Sequence, residues 1–360
     1  MKRIKVGVVG GTGMVGQNYI RLLKDHPWFE VAYVAASPRS AGMRYAEAVS
    51  GRWLMTEPVP KQINDLVVED ANLVGSAKGK CELIFSAIEA DKDTVRRLEE
   101  EYAKSGIAVV SNNSAHRNTP DVPMMIPEVN PGHIELIRFQ RTQRGWEKGL
   151  IAVKPNCSIQ SYTTPLFALI EAGYKIEAVI VTTLQAVSGA GFPGPASLQM
   201  VDNVIPYIKD EEKKSEQEPM RILGQLHEGR IIPETSFKIS AHCNRVPVID
   251  GHMACVSVKF AGRKPSLEEV LKIWKGFVAE PQRLKLPSAP EPAIIYREEV
   301  DRPQPRMDRD AGRGMAVTVG RLRECDVFDY RFVGLSHNTV RGAAGGAILT
   351  AELLKAKGLF

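Results

Sequence analysis

The segment V-G-V-V-G-G-T-G-M-V-G at residues 6–16 constrains the fold more than any other stretch of the chain. Ile4 to Val9 has the β-branched, apolar character of a strand, and Val15 to Lys24 reads as a helix. Gly10, Gly13 and Gly16 then fall on a strand-to-helix turn, spaced G-x-x-G-x-x-G. Glycines at such a turn let the backbone bend sharply and bring N–H groups up to a pyrophosphate at the helix N-terminus. The pattern predicts a Rossmann-type dinucleotide site at the start of the chain.

The next 100 residues or so keep the same alternation. Strands are expected at 31–36, 83–87 and 108–111, with a helix between the last two in D-K-D-T-V-R-R-L-E-E-E-Y-A-K-S-G. Strand-helix alternation implies a parallel sheet with crossover helices. The ribose of the adenosine is read at the end of the second strand, where an NAD site carries Asp or Glu. Here the segment is S-P-R-S-A-G, with Ser37, Arg39 and Ser40 and no acid. Hydroxyls beside a guanidinium suit a 2′-phosphate, so NADP is the expected cofactor.

Beyond Cys157 long β-rich runs take over, at 178–187, 238–248, 253–260 and 315–321, separated by loops rich in Gly, Pro and charge. An α+β domain with a largely antiparallel sheet is expected there. The final stretch, from Asn338, is a helix rich in Ala and Gly that suits close packing, and the first domain is its expected partner. The 360 residues accommodate two domains. We divide them at 1–155 and 156–337, with 338–360 completing the first.

Charge excludes some function classes. There are 47 basic and 42 acidic residues, net +5, too even a balance for a nucleic-acid surface. No apolar run approaches membrane-spanning length, and no signal peptide is expected ahead of the first strand. The five cysteines form no C-x-x-C pair, so no disulfide framework and no metal site is expected. A reduced, cytoplasmic protein fits these features.

Cys157 lies in I-A-V-K-P-N-C-S-I-Q. Pro155 and Asn156 break the preceding strand, and Ser158, Gln160, Ser161 and Thr163 suit a helix start. A thiol at a helix N-terminus gains stabilisation as thiolate and N–H donors for an oxyanion. A free cysteine packed as a small hydrophobe is the plainer alternative. A proton partner is available in A-H-C-N-R-V-P-V-I-D-G-H, where Asp250-Gly251 is read as the turn between two strands and His252 opens the second. Arg245, at the end of the first of those strands, suits a carboxylate. Of the other histidines, His26, His133 and His227 read as surface or helix-end residues, and His242 as packed in a strand. The run K-D-E-E-K-K-S-E-Q-E at 209–218 reads either as a solvated helix start or as part of a site.

Taken together, these motifs resemble the aspartate-β-semialdehyde dehydrogenase family, in its archaeal and fungal branch. The resemblance rests on S-P-R-S-A-G, S-N-N-S-A-H-R, I-P-E-V-N-P, P-N-C-S, L-Q-A-V-S-G-A-G, C-N-R-V-P-V-I-D-G-H, R-P-Q-P-R-M-D-R-D and L-S-H-N-T-V-R-G-A-A-G. It implies a fold like that of glyceraldehyde-3-phosphate dehydrogenase, and NADPH-dependent conversion of L-aspartyl 4-phosphate to L-aspartate 4-semialdehyde through a cysteine thioester. That reaction lies in the biosynthesis of lysine, threonine and methionine. The resemblance makes Cys157 the nucleophile, His252 the general acid/base and Gln185 the residue that orients the acyl group. It gives Arg245 the substrate carboxylate, Glu211 the amino group, and Lys214 with Arg117 the phosphate, with Asn156 alongside. Glu212 and Lys213 remain alternatives to Glu211 and Lys214. Thr12, Met14, Val15, Ser188, Gly189 and Asn338 join the glycine loop as cofactor contacts. A homodimer or homotetramer built through the second domain is implied. Malonyl-CoA reductase on the same scaffold is the alternative activity, and a non-catalytic redox sensor using Cys157 is the alternative of another class. N-acetyl-glutamyl-phosphate reductase shares the chemistry but differs in its surrounding motifs.

Overall fold

The computed structural model describes residues 3–360, so Met1 and Lys2 lie outside the described residues. The first sheet contains β1 (Ile4–Val9), β2 (Phe29–Ala36), β3 (Glu69–Asp70), β4 (Leu83–Ser86), β5 (Ala108–Ser111) and β6 (Leu150–Val153). Its order is β3-β2-β1-β4-β5-β6, and the pairs are parallel. The strand order reverses beside β1, which opens a crevice at the carboxyl ends of β1 and β4. Every residue of β4, β5 and β6 is buried. Burial on both faces is what a parallel sheet sandwiched by helices demands. Leu83, Phe85, Ala108 and Val110 face one core together with Ile348, Leu349 and Leu353 of the closing helix Gly345–Ala356. Ile84, Val109 and Ile151 face the other core, which continues into the second half of the chain.

The second sheet is mixed. β7 (Ile176–Gln185) comes first, and after a small ribbon of β8 (Gln225–His227) and β9 (Arg230–Ile232) come β10 (Lys238–Arg245) and β11 (His252–Phe260). β12 (Ile294–Arg297), β13 (Val317–Glu324) and β14 (Tyr330–Ser336) complete it in the order β10-β7-β11-β14-β13-β12. The three central pairings are antiparallel and the two outer ones parallel. Burial alternates along β7, β10 and β11, so one face is covered and the other is open.

One expectation fails here with consequences for the site. Asp250-Gly251 is not a hairpin turn, because β10 and β11 lie on opposite sides of β7 and do not pair with each other. Residues 246–251 instead cross the end of β7: the N–H groups of Val187 and Ser188 donate to the carbonyls of Val248 and Ile249, at 2.8 and 3.2 Å. The histidine readings also change. His26 is buried, with Nε2 2.7 Å from Glu352, and His133 is buried against Asn130 and the Gly224 carbonyl. His242 is exposed, because it occupies an outward position of β10.

The two halves are stapled by Arg341. Its guanidinium is 1% exposed and donates to Glu128 and to the Met315 carbonyl, both at 2.7 Å, and to Thr164 Oγ1 at 3.1 Å. A buried ion pair that loses one member leaves a bare charge in a medium that solvates it poorly. Glu128→Ala is therefore expected to lower stability by about 3–5 kcal/mol, read as the urea midpoint multiplied by the slope. An unchanged midpoint would show that Arg341 is held by its other partners alone.

Candidate active site

Gly10 follows β1 with φ +81°, and a Cβ there would collide with the carbonyl of Ala87 at the end of β4. Only glycine fits that turn. The helix Met14–Leu23 starts at Gly13 with no side-chain cap, so its first N–H groups remain free. Two cavities meet this turn. One, of about 300 Å³, is lined by Gly10, Thr12, Gly13, Ser37 and Arg39. The other, of about 680 Å³, is lined by Met14, Ser188, His337 and Thr339 among others. A chain of free N–H groups flanked by two clefts fits an extended dinucleotide. Val15 and Gly16 lie in the first helical turn, and neither lines either of these two cavities. Ser40 is turned inward and 2% exposed, so it is withdrawn from the place expected for it. Asn338 is buried: it donates to Ser188 Oγ at 2.8 Å and accepts from the Gly251 N–H at 2.8 Å. Those bonds tie the head of the C-terminal segment to the crossing loop.

Cys157 follows β6 and is half-buried. The helix expected at this point is a single 3-10 turn, Ser158–Ser161, and the α-helix Thr163–Glu171 begins only after it. The dipole of a long helix is therefore not what acts on the thiol. A π-helical turn, Val340–Ala344, packs against it instead, and a Cβ on Gly342 would stand 2.8 Å from the Cys157 Cβ. Four residues on, a Cβ on Gly346 would stand 2.7 Å from Cε of Lys154. The thiol and this buried lysine thus lie along one glycine-lined face.

Gln185 ends β7 and Arg245 ends β10, directly opposite each other in the parallel register. His252 opens β11 on the other side of β7. The crossing loop brings all three to one edge of the sheet. His252 Nε2 lies 3.4 Å from Cys157 Sγ, and the backbone N–H of Ala186 donates to His252 Nδ1 at 3.0 Å. A ring nitrogen that accepts carries no proton, so the neutral ring holds its hydrogen on Nε2, facing the sulfur. Burial, then Arg245 and His337, pushes the His252 imidazole down to about 3. Burial, with Glu211 adding to it, pushes the Cys157 thiol up to about 11, against the pull of Lys154, Arg117 and Arg245. The ligand-free pair is thiol and neutral imidazole.

Glu211 opens the helix Glu211–Ile222 and is buried. Its carboxylate accepts from Asn156 Nδ2 and Lys214 Nζ, each at 2.9 Å, and from Gln185 Nε2 at 3.2 Å. Glu212 faces the Cys243 N–H instead and Lys213 is exposed, which separates the alternatives in the charged run. Arg117 donates to Glu218 at 2.9 Å, and the other oxygen of Glu218 accepts from the Asn156 N–H at 2.6 Å. Glu218 and Lys154 were not among the expected site residues. Spacing i, i+4, i+7 puts Glu211, Ser215 and Glu218 on one helix face, and all three are buried, a signal present in the sequence. Lys154 is 2% exposed and its Nζ donates to the Pro155 carbonyl at 3.2 Å. Burial pulls that amine down to about 7, against the opposing effect of Cys157. Nothing in V-K-P-N-C distinguishes such a lysine from a solvated one. Among the described residues, no group of three metal-ligating side chains occurs, and no helix is long and apolar enough to cross a membrane.

Comparison with known proteins decides the family. Residues 5–137 match the model for the semialdehyde dehydrogenase NAD-binding domain, and residues 166–341 match that for the semialdehyde dehydrogenase dimerisation domain. Aspartate-semialdehyde dehydrogenases from Archaeoglobus fulgidus and Candida albicans are 46% and 44% identical, covering 98% and 99% of both chains. The chain belongs to the aspartate-semialdehyde dehydrogenase family. A crystal structure of the family member from Candida albicans with NADP is 42% identical over the whole of both chains, with a TM-score of 0.89. Aspartate-semialdehyde dehydrogenase II from Vibrio cholerae shares the fold, with a TM-score of 0.75 at 24% identity. The malonyl-CoA alternative finds no support among these relatives.

For this family member, the raised thiol and the locked imidazole make a prediction about the ligand-free protein. Thiolate is the reactive form, and its fraction falls about tenfold per pH unit below the thiol's pKa. Alkylation of Cys157 by iodoacetamide is expected to accelerate about tenfold per unit from pH 7 to pH 10. A plateau between pH 6 and pH 8 would reveal a preformed thiolate–imidazolium pair and contradict the tautomer assignment.

Proposed function

We propose that the chain reductively dephosphorylates L-aspartyl 4-phosphate to L-aspartate 4-semialdehyde, with Cys157 as nucleophile. The observation that carries this reading is the Cys157–His252 contact at 3.4 Å, set between two carboxylate-bound cations, Arg117 and Lys214, and the buried Arg245. Cys157 attacks the acyl phosphate as thiolate, its bond to the acyl carbon forms, and phosphate leaves to give a thioester. NADPH, when bound across the glycine turn, would supply the hydride that reduces the thioester carbonyl, and the resulting thiohemiacetal then releases the aldehyde as its C–S bond breaks and the Cys157 thiolate returns. His252 hydrogen-bonds the sulfur from Nε2 and lies near the oxygen that becomes negative. To take the thiol proton on Nε2, the ring must first shift its hydrogen to Nδ1 and surrender the Ala186 bond. That leaves two buried donors facing each other, at about 1–3 kcal/mol for each donor unpaired, a cost that the lowered barrier has to offset.

Arg245 has one nitrogen committed to the Ala186 carbonyl, at 2.7 Å, and the rest of its fork is available for the substrate α-carboxylate. Glu211 takes the α-amino group, exchanging its neutral amide partners for a cation. Gln185, released from Glu211, orients the acyl oxygen. Lys214 and Arg117 exchange their carboxylates for phosphate, with Asn156 fixing the carboxylate side of both pairs. We further propose that the second half of the chain forms a homodimer or homotetramer, a reading supported by its match to the dimerisation-domain model. Five free cysteines are consistent with work in the cytoplasm.

The test is NADP reduction by L-aspartate 4-semialdehyde with and without inorganic phosphate, beside wells with NADPH and malonyl-CoA. Continuous reduction is expected only with phosphate; without it, at most one NADP per active site is reduced. Oxidation of NADPH by malonyl-CoA in place of that reaction would overturn the substrate. Cys157→Ser should lose several orders of magnitude in turnover while retaining cofactor affinity, and His252→Ala should lose about 10²–10⁴. Arg245→Lys should raise KM more than it lowers kcat, since a point charge does not reproduce the fork.

A further inference from the structure

Ser40 is not free to meet a cofactor. Its backbone N–H closes a turn onto the Ser37 carbonyl at 2.9 Å, and its hydroxyl accepts from Arg52 Nη2 at 2.8 Å. Arg52 is far from the S-P-R-S-A-G segment in sequence terms, beyond the short helix Tyr45–Ala48. Its Nε donates to the Ala48 carbonyl at 2.8 Å, and its own carbonyl accepts from Gln17 Nε2 at 2.9 Å. The side chain and backbone of Arg52 are therefore both fixed before any ligand arrives. Arg39 and Arg52 line the same cavity of about 300 Å³, beyond the end of β2. Among the described residues neither has a carboxylate partner, whereas nearby Arg44 pairs with Asp65. The acid that lines this cavity, Glu89, lies against Gly13, 2.9 Å from where a Cβ would stand.

Two guanidiniums in one ligand cavity, neither of them paired with a carboxylate among the described residues, form a site for a dianion. We propose that Arg52 is a second binding group for the 2′-phosphate of NADP, and that Ser40 is a positioning residue which aims Arg52 rather than touching the phosphate. This rests on the NADP reading above. The division of labour is chemically sensible: a hydroxyl that accepts from one nitrogen of the fork leaves the fork's remaining N–H groups directed elsewhere. Arg39, on the turn itself, supplies the other half of the clamp. Specificity for the phosphorylated cofactor then depends on a residue outside the segment that sequence comparison of ribose-binding turns would inspect.

The test is equilibrium binding of NADPH and NADH, read by nicotinamide fluorescence, for the wild type and for Arg52→Ala, Arg52→Gln and Ser40→Ala. Removal of a charge-assisted fork is expected to weaken NADPH at least about tenfold while leaving NADH within about twofold. Ser40→Ala should shift the same ratio in the same direction by a smaller factor, about threefold. Equal weakening of both cofactors in both Arg52 variants would mark a structural role and overturn the proposal, as would no change in either. A wild type that binds NADH as well as NADPH would overturn the NADP reading itself, and the proposal with it. A preference for NADPH that survives both Arg52 variants overturns this inference alone.

Discussion

The passage of residues 246–251 over the end of β7 is what assembles the chemistry. It places Arg245 and His252, seven residues apart in sequence, on either flank of the strand that ends in Gln185. It also brings the Ala186 N–H against His252 Nδ1, and the Ala186 carbonyl against Arg245. One residue, Ala186, at the end of a strand, thereby fixes the tautomer of the imidazole and one arm of the guanidinium. A hairpin between β10 and β11 would have left both side chains without that shared support. The remaining wall of the site comes from the other half of the chain, with Cys157 after β6 and the π-turn behind it.

Around this frame the site is a set of charges held in pairs. Glu211 restrains Lys214, Glu218 restrains Arg117, and Asn156 touches both carboxylates. Each cation is thus neutralised in the ligand-free site. Such pairs limit the cost of burying charge in a site that has no ligand. Burial, with Glu211 adding to it, keeps the thiol from ionising early, while Lys154, Arg117 and Arg245 favour the thiolate. In the proposed complex, substrate binding would alter that balance, because the amino group would cover Glu211 at the same step that the acyl carbon reaches the sulfur.

The strand-helix alternation and the glycine turn were legible because both arise from local chemistry. β1, β4 and β5 fall where apolar β-branched runs put them, and Gly10 takes the positive φ that its place in the motif demands. Cys157, His252, Arg245, Gln185 and Glu211 were also legible, as residues in quoted motifs, and the structure brings them together. The misreadings have a common source in non-local packing. Asp250-Gly251 has the composition of a hairpin turn, and only the insertion of β7 between its flanking strands makes it a crossing loop. Ser40 reads as a hydroxyl for the cofactor 2′-phosphate until Arg52 is brought against it. Lys154 and Glu218 read as ordinary charges, and their burial depends on elements about 60 residues or more away, as the Asn156–Glu218 bond illustrates. His242 and His26 exchange their expected environments for the same reason.

The covalent role of Cys157 is the claim from which the rest of the chemistry follows, and it is open to direct observation. Protein mixed with L-aspartate 4-semialdehyde and NADP, in the absence of phosphate, has no acceptor for the acyl group and should hold it on sulfur. Intact-protein and peptide mass spectrometry, after acid quenching, is predicted to show a gain of one aspartate less one water on the Cys157 peptide. Addition of phosphate before the quench should remove it. An unmodified Cys157 peptide under conditions where NADP is reduced, or the same gain on another residue, would contradict the account.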